Sequence, residues 1–195
     1  MSVIPRILTP KNLVILGSAS ERRRDILRKL GLHFIIAVPD VDEVFYVDNP
    51  RQTVFENAVS KFIWCRKKYP ENKIITADTV IDFEGRCVSK PISLEEAKSL
   101  LLKFSDKKQD ILTAVALSAD DKEPEVHVVL SSVEFKKLNH QVIEEYFSKV
   151  DPLDKAGAYN IDQHADLIID SYSGSFSNIM GLPLEIIKTW LKQQI

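Results

Sequence analysis

Cysteine, glycine and uninterrupted apolar sequence are all scarce in this chain, and each scarcity removes a class of protein. Of 195 residues only Cys65 and Cys87 are cysteines. They fall in different predicted elements and no Cys or His spacing resembles a zinc site, so neither a disulfide scaffold nor structural zinc is expected, and a reducing cytoplasm suits the chain. The six glycines form neither a G-x-G-x-x-G fingerprint nor the Walker spacing, which sets aside the common glycine-rich phosphate cradles. No membrane span is visible, and residues 1–12, with two prolines and little sustained hydrophobicity, do not read as a signal peptide. Positive charge is not in excess either. Twenty-six Lys and Arg against 28 Asp and Glu leave a formal charge of −2 and a pI near 6.1, which argues against a bulk electrostatic grip on nucleic acid. Any anion site must be a local cluster.

What is present is enough apolar sequence, 45%, to bury one substantial core, so residues 1–195 read as a single unit of two closely packed lobes. Apolar runs predict strands over 13–16, 34–38, 74–77 and 80–83, the last ending at the Glu84-Gly85 turn. A helix is predicted over 21–30, with Gly31 suited to the left-handed position after it. Thr53 with Glu56 reads as a capping box for a helix that ends before Pro70, its apolar face being Val54, Ala58, Phe62 and Cys65. Ser93 with Glu96 opens a helix over 94–104. Two long β segments, 111–117 and 126–135, look like an antiparallel pair joined by Asp120-Asp121-Lys122. Asn139 caps a helix through Phe147, a strand is expected over 167–169, and Pro183 marks the start of the last helix. The expected fold is α/β: a mixed sheet flanked by helices, in two lobes with a cleft between them.

The segment Ser18-Ala19-Ser20-Glu21-Arg22-Arg23-Arg24 lies between the first strand and the first helix. The positive end of a helix dipole disfavours cations by a few tenths of a kcal/mol each, so arginines in the first turn suggest an anion there. Backbone N–H groups of the helix start, serine hydroxyls and guanidinium forks together suit phosphate oxygens. The plain alternative is a solvated arginine face behind an N-cap serine.

Asp78, in Thr76-Ala77-Asp78-Thr79-Val80, reads as standing at a strand end, where α/β sheets bind ligands. It is a turn former, a general base or a metal ligand. Asp40, Asp42 and Glu43 after Pro39 are either solvated loop residues or, through Asp42 or Glu43, partners of Asp78 in holding magnesium beside substrate phosphates. Lys61 lies on a helix face near Asn57, and Lys90 precedes Pro91, which restricts its backbone to extended geometry and aims its ammonium. For an arbitrary lysine the solvated face is the default. The runs 154–159 and 174–183 are, taken singly, tight polar loops.

Taken together these segments closely resemble the Maf family of nucleoside triphosphate pyrophosphatases, also described as septum-formation inhibitor-like proteins. Ser18 to Arg23 resembles its S-x-S-P-R-R signature, Asp78-Thr79 its A-D-T motif and Lys90-Pro91 its K-P element. Thr113-Ala114-Val115 resembles its central strand, residues 154–159 its D-K-A-G-A-Y block, and Gly181-Leu182-Pro183 its last motif. The resemblance spans nearly the whole chain. It implies hydrolysis of a nucleoside triphosphate to the monophosphate and pyrophosphate with a divalent cation, magnesium or manganese. It also implies an elongated α/β fold similar to that of inosine triphosphate pyrophosphatases, the Maf/Ham1 type, with the active site between the lobes. By position, Ser18, Ser20, Arg22, Arg23, Lys61, Lys90 and Lys155 would bind substrate, Asp42 or Glu43 would help Asp78 bind metal, and Asp78 would be the base. Thr79 resembles the dTTP- and UTP-specific branch rather than the 7-methyl-GTP branch, modified pyrimidines included. Family members often dimerise, so a homodimer is among the expected partners, with no nucleic acid and no membrane.

Departures from the pattern accompany these matches. Glu21 stands where the family has proline, and Asp162 where it has glutamine, with Gln163 one place later, so that either Gln163 shifts into place or substrate preference changes. Those two features keep open a non-catalytic nucleotide-binding regulator of cell division. A basic helix of Arg22, Arg23, Arg24, Arg28 and Lys29 for nucleic acid is disfavoured by the overall charge. An aspartyl-phosphate phosphatase built on Asp78 and Asp82 is disfavoured by the spacing of the pair.

Overall fold

The computed structural model describes residues 13–119, 123–153 and 155–193. Strand β1 (Val14–Gly17) is buried along its length, as expected for a strand covered on both faces. It runs parallel to β2 (Phe34–Ile36) and to β3 (Lys73–Phe83). The crossovers are helices α1 (Glu21–Lys29) and α2 (Pro50–Lys68). From β3 onward the sheet turns antiparallel through β4 (Arg86–Val88), β5 (Lys108–Ser118), β6 (Glu125–Phe135) and β7 (Ile169–Ser173). Among the described residues the order is β2-β1-β3-β5-β6-β7, with β4 also on β3. The remaining helices are α3 (Leu94–Phe104), α4 (His140–Phe147), α5 (Phe176–Ile179) and α6 (Leu184–Lys192).

The period of the strands divides the core. On one face α2 lays Val54, Ala58, Phe62 and Cys65 against Ile15, Ile74, Leu112 and Ala114. On the other, α1 and α6 bring Leu27, Ile187 and Trp190 onto Leu16, Ile75 and Val115. Each large side chain buried this way contributes about 1.5–3 kcal/mol. The far end of the sheet has its own core, in which Phe104 meets Phe83 edge-on at 4.9 Å and Phe135 meets Tyr159 at 5.1 Å. Close approach decides the end of β1: a Cβ on Gly17 would lie 2.5 Å from Thr76 Cγ2 and 2.6 Å from Cys65 Sγ.

Several local expectations change. The predicted strands 74–77 and 80–83 are one strand, because β5 pairs with β3 continuously from Ile74 to Asp82. Asp78 is therefore in mid-strand and not at a strand end. Helix α2 starts at Pro50 with Asn49 as N-cap, its side chain accepting from Gln52 N at 3.1 Å. Thr53 lies inside that helix, and its hydroxyl accepts from Tyr46 N at 3.0 Å. Proline at the first helical position explains the earlier start. The last strand is Ile169–Ser173, preceded by a 3₁₀ turn at Ala165–Leu167. Strand β4 and helix α5 were not expected. The turn at 120–122 and Asp154 lie outside the described residues. Among the described residues no helix is long and apolar enough to cross a membrane.

Candidate active site

Strand β1 leaves β3 at the pair Gly17 with Thr76, and β4 joins it only at Val88 with Ile81. Between them residues 77–80 keep β5 on one side and have no strand pairing on the other among the described residues. This notch carries Asp78 and Thr79, and the two-residue period sends their side chains to opposite faces of the sheet.

Asp78 points to the α2 face. Its side chain is 9% exposed, and Oδ1 accepts from Lys61 Nζ at 2.6 Å. Lys61, one turn beyond Asn57 on α2, also reaches Glu43 Oε1 at 2.8 Å. Asn57 Nδ2 donates to Asp78 Oδ2 at 3.2 Å and to Val44 O at 3.0 Å, while its Oδ1 accepts from Val44 N at 2.8 Å. One buried amide thus clasps the acidic loop to the Asp78 carboxylate. Two carboxylates share one ammonium, leaving the cluster with a net negative charge. Breaking so buried a pair from one side typically costs about 3–5 kcal/mol.

Thr79 points to the α1 face, where Arg23 turns inward. Arg23 Nη2 donates to Thr79 Oγ1 at 3.0 Å, Nη1 to Ser18 Oγ at 3.2 Å, and Nε to Gly181 O at 2.8 Å. Burial lowers the Arg23 pKa from its ordinary value, and the Asp78 carboxylate opposes that shift. Arg22 Nη1 instead donates to Asn160 Oδ1 at 3.0 Å, and Asn160 is held by Tyr146, whose hydroxyl accepts from Asn160 N at 2.8 Å. Arg22 and Thr79 are the polar part of a hollow otherwise lined by Ile81, Ile111, Tyr159 and Ile179. Gly157 closes this side at φ +67, where a Cβ would lie 2.7 Å from Ile81 Cδ1.

The arginines of the first turn therefore do not project as one anion clamp. Arg24 pairs with the exposed Glu21 at 2.8 Å, so the anion that replaces the expected proline turns to a neighbour on its own helix. Ser20 is the N-cap, accepting from Arg23 N at 3.4 Å, and Ser18 Oγ accepts from Ser20 N at 3.1 Å. Of the acidic loop, Glu43 reaches Lys61, while Asp42 is exposed one residue before it. Lys90 is exposed after β4, Lys155 is half-buried beside the Gly157 turn, and Gln163 and Asp162 are exposed after Ile161. Asp82 is four residues along the strand from Asp78, about 13 Å at 3.3 Å per residue, so the two carboxylates form no phosphatase pair.

The sequence reading passed over the roles of Asn57, Thr113 and Asn160. The i, i+4 spacing of Asn57 and Lys61 was the available signal for the first. Two larger depressions, of about 370 and 490 Å³, lie between α2 and β6 and beside Lys107 and Lys136. Neither is lined by a buried charged side chain, whereas the notch holds Lys61 and Asp78.

Residues 13–194 match the family described as Maf-like protein. The chain belongs to that family. Among relatives of this Maf-like chain, a dTTP/UTP pyrophosphatase of Thermotoga maritima is 38% identical over 183 residues, covering 93% of this chain and 89% of the relative. A dTTP/UTP pyrophosphatase of Acholeplasma laidlawii is 37% identical over 185 residues, covering 92% and 95%. The Staphylococcus aureus Ham1 protein has a similar solved structure, with a TM-score of 0.52 at 16% identity over 93% of this chain and 99% of that one. A HAM1 protein from Coxiella burnetii gives 0.52 at 16% identity over 92% and 98%. At such identity the likeness concerns the fold, which is the α/β Maf/Ham1 architecture expected from the sequence.

Proposed function

We propose that the protein is a nucleoside triphosphate pyrophosphatase that hydrolyses UTP and dTTP, modified pyrimidine triphosphates included, to the monophosphate and pyrophosphate. The observation that carries this reading is the buried Asp78 carboxylate, fixed by Lys61 at 2.6 Å and Asn57 at 3.2 Å at a break in the sheet whose opposite face holds Arg23 and Thr79. Relatives at 37–38% identity that bear the name dTTP/UTP pyrophosphatase support it. The alternative is a non-catalytic nucleotide-binding regulator of cell division; of the two departures behind it, Glu21 pairs with Arg24 on its own helix.

In the proposed reaction Asp78 takes a proton from the water that attacks the α-phosphorus. The bond from that phosphorus to the bridging oxygen breaks, and pyrophosphate leaves with the bond electrons. Negative charge crowds onto oxygens already charged, so positioned cations lower the barrier. Lys61 supplies one at the base itself, Arg22 and Arg23 supply guanidinium N–H groups at the start of α1, and Ser18, Ser20, Lys90 and Lys155 complete the proposed substrate-binding set. Thr79 and Gln163 belong to the same proposed substrate-binding set.

A divalent cation, magnesium or manganese, fits the donor set. Among the described residues no group of three potential ligands forms a cage of its own, but hard cations of this kind use one or two carboxylates with substrate phosphates and waters. Asp78 and Glu43 would hold it, with Asp42 adjacent. Bound there, it would neutralise phosphate charge. The same proposal assigns the protein to the cytoplasmic nucleotide pool and to a homodimer, which sedimentation velocity tests.

Hydrolysis of UTP in ¹⁸O-water tests the reaction. Pyrophosphate as first product with label in UMP is expected. Inorganic phosphate as first product, or no turnover of UTP and dTTP with magnesium or manganese, overturns the reading.

A further inference from the structure

Behind Thr79, one strand deeper, stands Thr113 of β5, fully buried at 0% exposure and out of reach of any ligand. Its hydroxyl oxygen lies 2.9 Å from Thr79 Oγ1 and 3.2 Å from the carbonyl oxygen of Asn178. That carbonyl is fixed in place. It also accepts from Gly181 N at 2.8 Å, and the Asn178 side chain donates to Ile111 O at 3.1 Å and to Ser131 Oγ at 3.0 Å.

Counting protons orients the whole chain. A threonine hydroxyl has one proton and two lone pairs, a guanidinium only donates, and a peptide carbonyl only accepts. Thr79 Oγ1 therefore accepts from Arg23 Nη2, and the contact to Asn178 O requires the Thr113 proton. With that proton committed, the short contact between the two threonines requires Thr79 to donate to Thr113. The reverse polarity sets the Thr113 and Asn178 oxygens against each other without a proton, in a buried site where an unmade hydrogen bond costs about 1–3 kcal/mol. Only the order Arg23 to Thr79 to Thr113 to Asn178 satisfies every contact. The Thr79 hydroxyl, partly exposed in the hollow beside Arg22, is then left with one lone pair and no proton to offer.

We infer that Thr113 is a positioning residue that locks Thr79 as a hydrogen-bond acceptor, and that Thr79 thereby selects a nucleobase presenting an N–H donor, the N3–H of uracil or thymine. Cytosine carries a lone pair at N3 and meets the Thr79 lone pair head-on. The isoleucines that line the hollow do not tell one pyrimidine from another, and Arg22 beside them can only donate, so an N–H at N3 is read by the Thr79 lone pair. The inference rests on the pyrimidine triphosphate reading above and adds the device that separates uracil and thymine from cytosine.

The test compares kcat/KM for pyrophosphate release from UTP and CTP in the unsubstituted protein, Thr113→Val and Thr113→Ser. Valine removes the acceptor for the Thr79 proton, which turns into the hollow, and the UTP-to-CTP ratio is expected to fall about tenfold or more. Serine restores the relay and keeps the ratio. An unchanged ratio in Thr113→Val, or an equal fall in Thr113→Ser, overturns the inference. A second measurement needs no substitution: N3-methyl-UTP, which lacks the N–H, is expected at least about tenfold below UTP, and turnover equal to UTP overturns the inference however the variants fold. Failure of the parent reading looks different, since the unsubstituted protein then releases no pyrophosphate from UTP, and both proposals fall together.

Discussion

Asp78 and Thr79 are neighbours in the chain and occupy opposite sides of the sheet, and the two sides are built on different physics. On the α2 face a buried carboxylate is held by an ammonium and an amide, with a second carboxylate close by. On the α1 face a guanidinium and two hydroxyls form a polarised chain beside an apolar hollow. The first arrangement suits proton transfer, and the second sets hydrogen-bonding groups beside an apolar surface that suits a ring. A strand is the element that separates two such environments across one peptide bond, provided its edge is open. Here the edge is open because β1 ends at Gly17 and β4 begins opposite Ile81.

Substitutions that act on one face only will sharpen this contrast, and the largest effect belongs to the charged face. Asp78→Asn is expected to reduce turnover by about 10²–10⁴-fold for UTP and dTTP alike in pyrophosphate-release assays, with the fold retained by circular dichroism. Near-normal turnover refutes Asp78 as base. Lys61→Met strips the counter-charge from a buried carboxylate, and chemical denaturation is expected to show a loss of about 3–5 kcal/mol. A loss no larger than that of an exposed pair such as Arg28 with Asp25 contradicts the burial assigned to it.

Smaller effects test the frame that holds both faces. Gly17→Ala forces a Cβ against Thr76 and Cys65 and is expected to cost about 1–3 kcal/mol, read as a lower denaturation midpoint. A neutral result means that the end of β1 relaxes freely. In the core at the far end of the sheet, burial raises the Tyr146 pKa from 10.0 to about 12. The folded chain then keeps a proton that the unfolded chain gives up, so this contribution to stability is complete below pH 10 and is lost between pH 10 and about 12. Spectrophotometric titration of tyrosinate in Tyr146→Phe against the unsubstituted protein checks it, with the difference expected near the upper end of that range.

Much of this was readable beforehand, for physical reasons that differ by element. β1, β5 and α1 announce themselves because burial and helical period write continuous patterns, and the ordered motifs pointed to the family before any geometry was known. The start of α2 was misread because Asn49 and Thr53 both suit a cap, and Pro50 decides between them. Strand β4 and helix α5, of three and four residues, are too short to carry a period. Asp78 was singled out but put at a strand end, whereas Thr79 and Val80 continue the strand and the notch exists only through where its neighbours stop. Asn57, Thr113 and Asn160 were overlooked as site residues because their importance lies in partners distant in sequence, at separations of 21, 34 and 138 residues.

The division of labour across β3 is tested most directly by calorimetric titration of UTP and CTP into Asp78→Asn. The account predicts that the variant, though unable to turn substrate over, still binds UTP in preference to CTP by the same ratio as the unsubstituted protein measured with non-hydrolysable analogues. Loss of that preference on replacing a residue that faces the other side of the sheet would contradict it.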